Sequence, residues 1–152
     1  MKSRERLLFA AAAVFALHPL APPSPPLALA ATKDAALEVA SLRSEYATGP
    51  LGIDVRKPRL SWQLQSSARG VTQSAYQVRV STSERSLRAG HDLLWDSGRV
   101  ASSESIHRAY DGPPLSSGQR YFWQARVWDG AGRASAWSTP AWWEMGLLEP
   151  GD

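Results

Sequence analysis

The chain has no cysteine and no asparagine among its 152 residues. Without thiols it can form no disulfide, no thiolate metal site, no redox switch and no cysteine nucleophile. Without asparagine it carries no N-glycosylation sequon. A charge excess of one sign is missing as well. Lys2, Arg4 and Arg6 stand against Glu5 alone at the N-terminus, and the stretch after Ala30 holds 14 basic and 13 acidic residues, against 17 and 14 in the whole chain. So even a balance, spread without runs, leaves no electrostatic footprint for nucleic acid or for an anionic membrane. Apolar runs are short too. Leu7–Leu17 spans eleven residues, well under the roughly 20 that a membrane-crossing helix needs.

Chemical motifs are equally scarce. His91 and His107 lie sixteen residues apart, with no spacing that pairs them as ligands, so no metal site is expected. No serine sits in a G-x-S-x-G elbow. Gly130-Ala131-Gly132 follows a strand-like run but opens another strand, not a helix, so it is no nucleotide loop and no cofactor is expected. Glycoside hydrolysis needs two carboxylates roughly 5–10 Å apart. Asp92, Asp96, Glu104, Asp111 and Asp129 lie near turns, where acidic side chains bond to local backbone, so no catalytic pair is assigned.

What is present begins with three parts in signal-peptide order. A basic start (Lys2, Arg4, Arg6) precedes the apolar run, and Ala28-Leu29-Ala30 matches a small-x-small cleavage pattern. Residues 1–30 are therefore expected to be a signal peptide cleaved after Ala30, which places the chain in the periplasm or outside the cell, with no membrane attachment after cleavage. An uncleaved anchor is the alternative, because Pro19 to Pro26 make the segment before the cleavage site long. Residues 31–36 read as a short leader.

From Leu37 the pattern is that of short strands parted by turns. Arg120 to Asp129 alternates most clearly, with Tyr121, Trp123, Ala125 and Val127 on one face and Phe122, Gln124, Arg126 and Trp128 on the other. Leu115, Gly118 and Tyr121 are spaced as in a tyrosine corner. Further strands are expected at Leu37–Tyr46, Arg59–Gln65, Ala75–Ser81, Leu93–Val100, Ser105–Tyr110 and Trp137–Met145. Ser83–Ala89 can add one helical turn closed by Gly90. The expected fold is all-β: a seven-stranded immunoglobulin or fibronectin type III-like sandwich over residues 37–148.

Seven tryptophans are more than one core face can take. Trp62 and Trp123 fall on core-facing positions. Trp142 and Trp143 are neighbours and must point to opposite sides. Phe122, Trp128, Trp142 and Trp143 are thus the candidates for an outer aromatic surface that docks another domain or stacks on sugar.

The ordered segments resemble a known arrangement. Leu42-Arg43-Ser44-Glu45-Tyr46, Pro50-Leu51-Gly52-Ile53-Asp54, Lys57-Pro58-Arg59-Leu60-Ser61-Trp62 and Ala75-Tyr76-Gln77-Val78 come first. Leu94-Trp95-Asp96-Ser97-Gly98, then Tyr121 through Asp129, Ser135-Ala136-Trp137-Ser138 and Glu144-Met145-Gly146-Leu147-Leu148 complete the set. Together they resemble the N-terminal region of bacterial α-L-rhamnosidases of glycoside hydrolase family 78. The resemblance implies the first, fibronectin-III-like domain of a large secreted enzyme that releases terminal L-rhamnose from glycosides or polysaccharides. It also implies further β-domains and an (α/α)6 barrel whose acidic residues work by inversion, with 149–152 as the start of a linker. None of those later domains lies within residues 37–148, so no catalytic residue is carried over. The chain is expected to scaffold its downstream domains without hydrolysing anything alone. The alternative is a free-standing carbohydrate-binding module, with carbohydrate as its partner.

Overall fold

The computed structural model of the chain describes residues 37–149 and 151. The signal peptide and leader lie outside the described residues, as do Pro150 and Asp152 of the linker.

Among the described residues, seven strands and one short helix appear in the expected order: β1 (Glu38–Ser44), β2 (Arg59–Gln65), β3 (Gln73–Ser81), α1 (Glu84–Ala89), β4 (Trp95–Asp96), β5 (Arg108–Ala109), β6 (Arg120–Asp129) and β7 (Ala141–Glu144). They form two antiparallel sheets, β1-β2-β5 and β4-β3-β6-β7. The fold is an immunoglobulin-like β-sandwich. The strands expected at Leu93–Val100 and Ser105–Tyr110 shrink to two residues each, and both sit at sheet edges, where short strands limit unwanted pairing.

Register follows the alternation. Tyr76, Val78 and Val80 of β3 pair with Val127, Ala125 and Trp123 of β6, and all six are buried. Leu42, Leu60 and Trp62 come from the opposite sheet into the same core. Two bulges adjust the strands. One shifts register between Ala40 and Arg43 of β1, where Ser41 takes a left-handed φ of 50°. The other lies between Gln73 and Ala75 of β3. It accompanies a buried Gln73 that accepts a hydrogen bond from Trp62 Nε1 (3.1 Å) and donates to the carbonyls of Ser102 and Glu104 (2.9 Å each). One amide thus ties the core tryptophan to the loop before β5.

The tyrosine corner is formed: the Ser116 N–H donates to the Tyr121 phenol oxygen at 2.8 Å. In α1, Ser83 caps the first turn by accepting from the Ser86 N–H. Gly90 ends it in the left-handed conformation, its N–H donating to the Leu87 and Ser86 carbonyls. Leu87 is fully buried, and the Gln124 amide donates to its carbonyl at 3.3 Å, which fastens the helix to β6.

Candidate functional site

The outer face of the larger sheet is where the sequence places its surplus aromatics. Cross-strand pairs assign this face: Ala75 with Trp128, Gln77 with Arg126, Arg79 with Gln124, Ser81 with Phe122, and Phe122 with Trp142. Phe122, Trp128 and Trp142 lie there, each half-buried. Trp143 does not. It pairs with Tyr121 across β6 and β7, is fully buried, stacks on the Tyr121 ring at 5.6 Å and donates its Nε1–H to Met145 Sδ at 3.3 Å. Trp143 is therefore a core residue and presents no surface to a sugar or a partner. The pairing of β7 with β6 decides which of the two adjacent tryptophans turns inward.

The outer indoles already have partners. Trp128 lies beside two guanidiniums, Arg126 at 4.8 Å and Arg99 at 5.1 Å from its ring centre. Trp142 carries Arg120 at 4.2 Å. On Trp142 also rests Gly49, where an added Cβ would come within 2.8 Å of the indole, which explains a glycine there. Trp137, absent from the candidates, extends the row with Arg79 at 4.4 Å and Arg126 at 4.7 Å. Its flanking serines put it there. Ser135 and Ser138 pair their backbone N–H groups with Val127 and Ala125 carbonyls, and their hydroxyls accept from the N–H groups of the same two residues. Arg79 of β3 and Arg120 and Arg126 of β6 stand at outward positions, and the indoles they meet come from β6, from β7 and from the segment before β7. Each contact contributes on the order of 0.5–1 kcal/mol at an exposed site. This face is a layer held together by its own side chains.

The carboxylates are engaged in ways that oppose acid catalysis. Asp96 accepts from the Gln77 amide (2.6 Å), the Gly98 N–H (2.9 Å) and Arg79 Nε (2.9 Å). Partial burial pushes its pKa up, but these three donors outweigh that and hold it below the usual aspartate value. Asp129 is also held low, first by the Arg133 backbone N–H, with the Arg133 side chain and the Ala131 N–H adding to that hold against some desolvation. Lys57 lowers Asp111, and Glu104 pairs with Arg108. A glycosidase general acid must stay protonated near neutral pH, which requires a raised pKa. No cluster of three or more His, Asp or Glu able to hold a metal occurs among the described residues.

These depressed values predict a pH dependence. A carboxylate whose pKa is lower folded than unfolded stabilises the fold above the unfolded value of about 4, and that contribution disappears as pH falls through the folded value. The urea midpoint is expected to be level from pH 7 to 5 and to drop between pH 4 and 3. Asp96→Asn is expected to lower the neutral-pH midpoint and shrink the drop. An unchanged midpoint at pH 3 would contradict the assignment.

A family model described as the Rha78A-like, N-terminal immunoglobulin domain matches residues 39–149. The α-L-rhamnosidase of Streptomyces avermitilis is 53% identical over 113 residues, 74% of this chain but 11% of that protein. The crystal structure of that enzyme, complexed with L-rhamnose, matches with a TM-score of 0.71 over the same shares. The structure of the α-L-rhamnosidase from Dictyoglumus thermophilum matches at TM-score 0.70 and 36% identity, over 73% of this chain and 12% of that one. The native Aspergillus terreus enzyme matches at 0.63 and 31%, over 76% and 12%. The chain thus spans only 11–12% of the length of these relatives. With the family model covering most of its length, the chain belongs to the Rha78A-like N-terminal immunoglobulin domains.

Proposed function

We propose that the chain is the N-terminal accessory domain of a secreted α-L-rhamnosidase, supporting the parts of the enzyme that cleave terminal L-rhamnose and performing no hydrolysis itself. The observation that carries this reading is the confinement of the match to 11% of the S. avermitilis enzyme at 53% identity. The depressed carboxylates support it, since none is suited to donate a proton to a leaving group. Export rests on the sequence of residues 1–30, with cleavage after Ala30 and a periplasmic or extracellular destination. Sugar stacking on the outer face has less support, because Trp128 and Trp142 already stack on guanidiniums.

A domain exchange tests the reading. Residues 37–149 replace the matching 113-residue segment of the S. avermitilis enzyme. The groups that do the chemistry lie elsewhere in that protein on this reading, so the exchanged enzyme is expected to keep kcat/KM within about tenfold of its parent. A folded exchange that loses more than about 100-fold would place catalytic groups in the domain and contradict the proposal.

A further inference from the structure

One end of the sandwich carries an apolar surface that the outer aromatic layer does not share. Residues 50–55 run beside the end of β7: the Glu144 N–H donates to the Pro50 carbonyl (2.9 Å), the Ile53 N–H to Glu144 O (3.0 Å) and the Gly146 N–H to Ile53 O (2.7 Å). Ile53 and Met145 form a parallel bridge and both are buried. Two residues further along each segment stand Val55 and Leu147. They are 42% and 69% exposed, while Leu148 turns back to pack against the core. Leu51, two residues before Ile53, is 66% exposed. A hollow of about 280 Å³ begins at Arg56, the residue after Val55, and is lined further by Lys57, Gly112, Pro113, Pro114 and Leu115.

Residues 146–149 are pinned at this end. Arg56 donates to the Leu148 carbonyl (3.0 Å) and pairs with Glu149. The Leu148 N–H donates to Ser117 Oγ (2.9 Å), and the Gly118 N–H to Gly146 O (3.2 Å). Gly146 lies so close to the Gly52 backbone that an added Cβ would sit 3.1 Å from its carbonyl oxygen. Two ion pairs flank this end, Arg56 with Glu149 and Lys57 with Asp111.

We propose that Leu51, Val55 and Leu147, with the adjoining hollow, form the surface on which the next domain of the same polypeptide docks, through an apolar patch of its own. This rests on the accessory-domain reading. Its grounds are the position of the patch beside the pinned residues 146–149 and the relatives, in which a domain described as N-terminal makes up 11–12% of the chain and the rest follows. The size of the patch selects the occupant. A separate partner or a second copy needs roughly 1,600 Å² of total buried surface, and three side chains around a hollow offer much less. A domain tethered a few residues away acts at an effective concentration on the order of millimolar, so a small apolar patch is enough.

The exchanged enzyme tests this through its thermal unfolding. With residues 37–149 unaltered, the domain is expected to melt together with the rest of the enzyme, above the Tm of the isolated chain. The triple variant Leu51→Ser, Val55→Ser, Leu147→Ser is expected to split off a separate transition at least about 5 °C lower. In the isolated chain the same variant is expected to leave Tm unchanged, because the three side chains are exposed. Ile106→Ser, an exposed apolar residue beside the smaller sheet, serves as the control and is expected to leave the joint transition intact. If the triple variant still melts jointly, or if Ile106→Ser splits the transition instead, the surface is wrong while the accessory reading stands. If the unaltered domain already melts separately, the supporting role itself fails.

Discussion

Trp143→Ala is expected to lower the unfolding free energy by about 3–5 kcal/mol, the usual cost of emptying a large aromatic site in a core. The ring is fully buried, stacked on Tyr121 and met edge-on by Tyr110 at 6.2 Å. Removing it opens a cavity between the tyrosine corner and the end of β7. The neighbouring substitution is the informative contrast. Trp142→Ala loses a stack on Arg120 and the cover of Gly49, and about 1 kcal/mol is expected. Domains of this size are stable by about 5–15 kcal/mol, so the first variant is expected to show a much lower urea midpoint and the second a small shift. Equal costs, or a larger one for Trp142, would mean that β7 pairs with β6 in the opposite register.

Gln73→Ala is expected to cost about 2–4 kcal/mol, because leaving buried polar groups without partners costs about 1–3 kcal/mol each. The substitution strips the acceptor from Trp62 Nε1 and the donor from two backbone carbonyls, Ser102 and Glu104. Gln63→Ala, on the exposed side of β2, is expected to change stability by less than about 0.5 kcal/mol. Urea unfolding of the two variants measures the difference. A loss under about 0.5 kcal/mol for Gln73→Ala would mean that water replaces the amide and that the bulge of β3 does not depend on it.

These two residues mark where the sequence stops being sufficient. The alternation in β6 and β3 assigns their faces from local periodicity alone, and the spacing of Leu115, Gly118 and Tyr121 reveals the corner. Trp142 and Trp143 cannot be told apart in that way. In any strand one of two neighbours must face inward, and only the pairing of Tyr121 with Trp143 says which. Gln73 reads as an ordinary polar residue before a strand, because its three partners lie 11, 29 and 31 residues away. Trp137 joins the outer layer because serine hydroxyls substitute for strand carbonyls, a device with no periodicity to detect. The docking end is hidden for a similar reason, since a parallel bridge between Ile53 and Met145 joins segments that look like loop and strand end. Local pattern therefore yields the sandwich and its core, while the edges and the surfaces depend on long-range pairing.

On the proposed function, this domain supports a rhamnosidase without carrying its chemistry. The most direct measurement is hydrolysis of an aryl α-L-rhamnoside by the purified chain beginning after Ala30, at enzyme-like concentration and across pH 4 to 8. No release above buffer is the predicted result. Turnover that disappears in Asp96→Asn or Asp129→Asn would show that a carboxylate held low by its donors still serves catalysis, and the claim would be wrong.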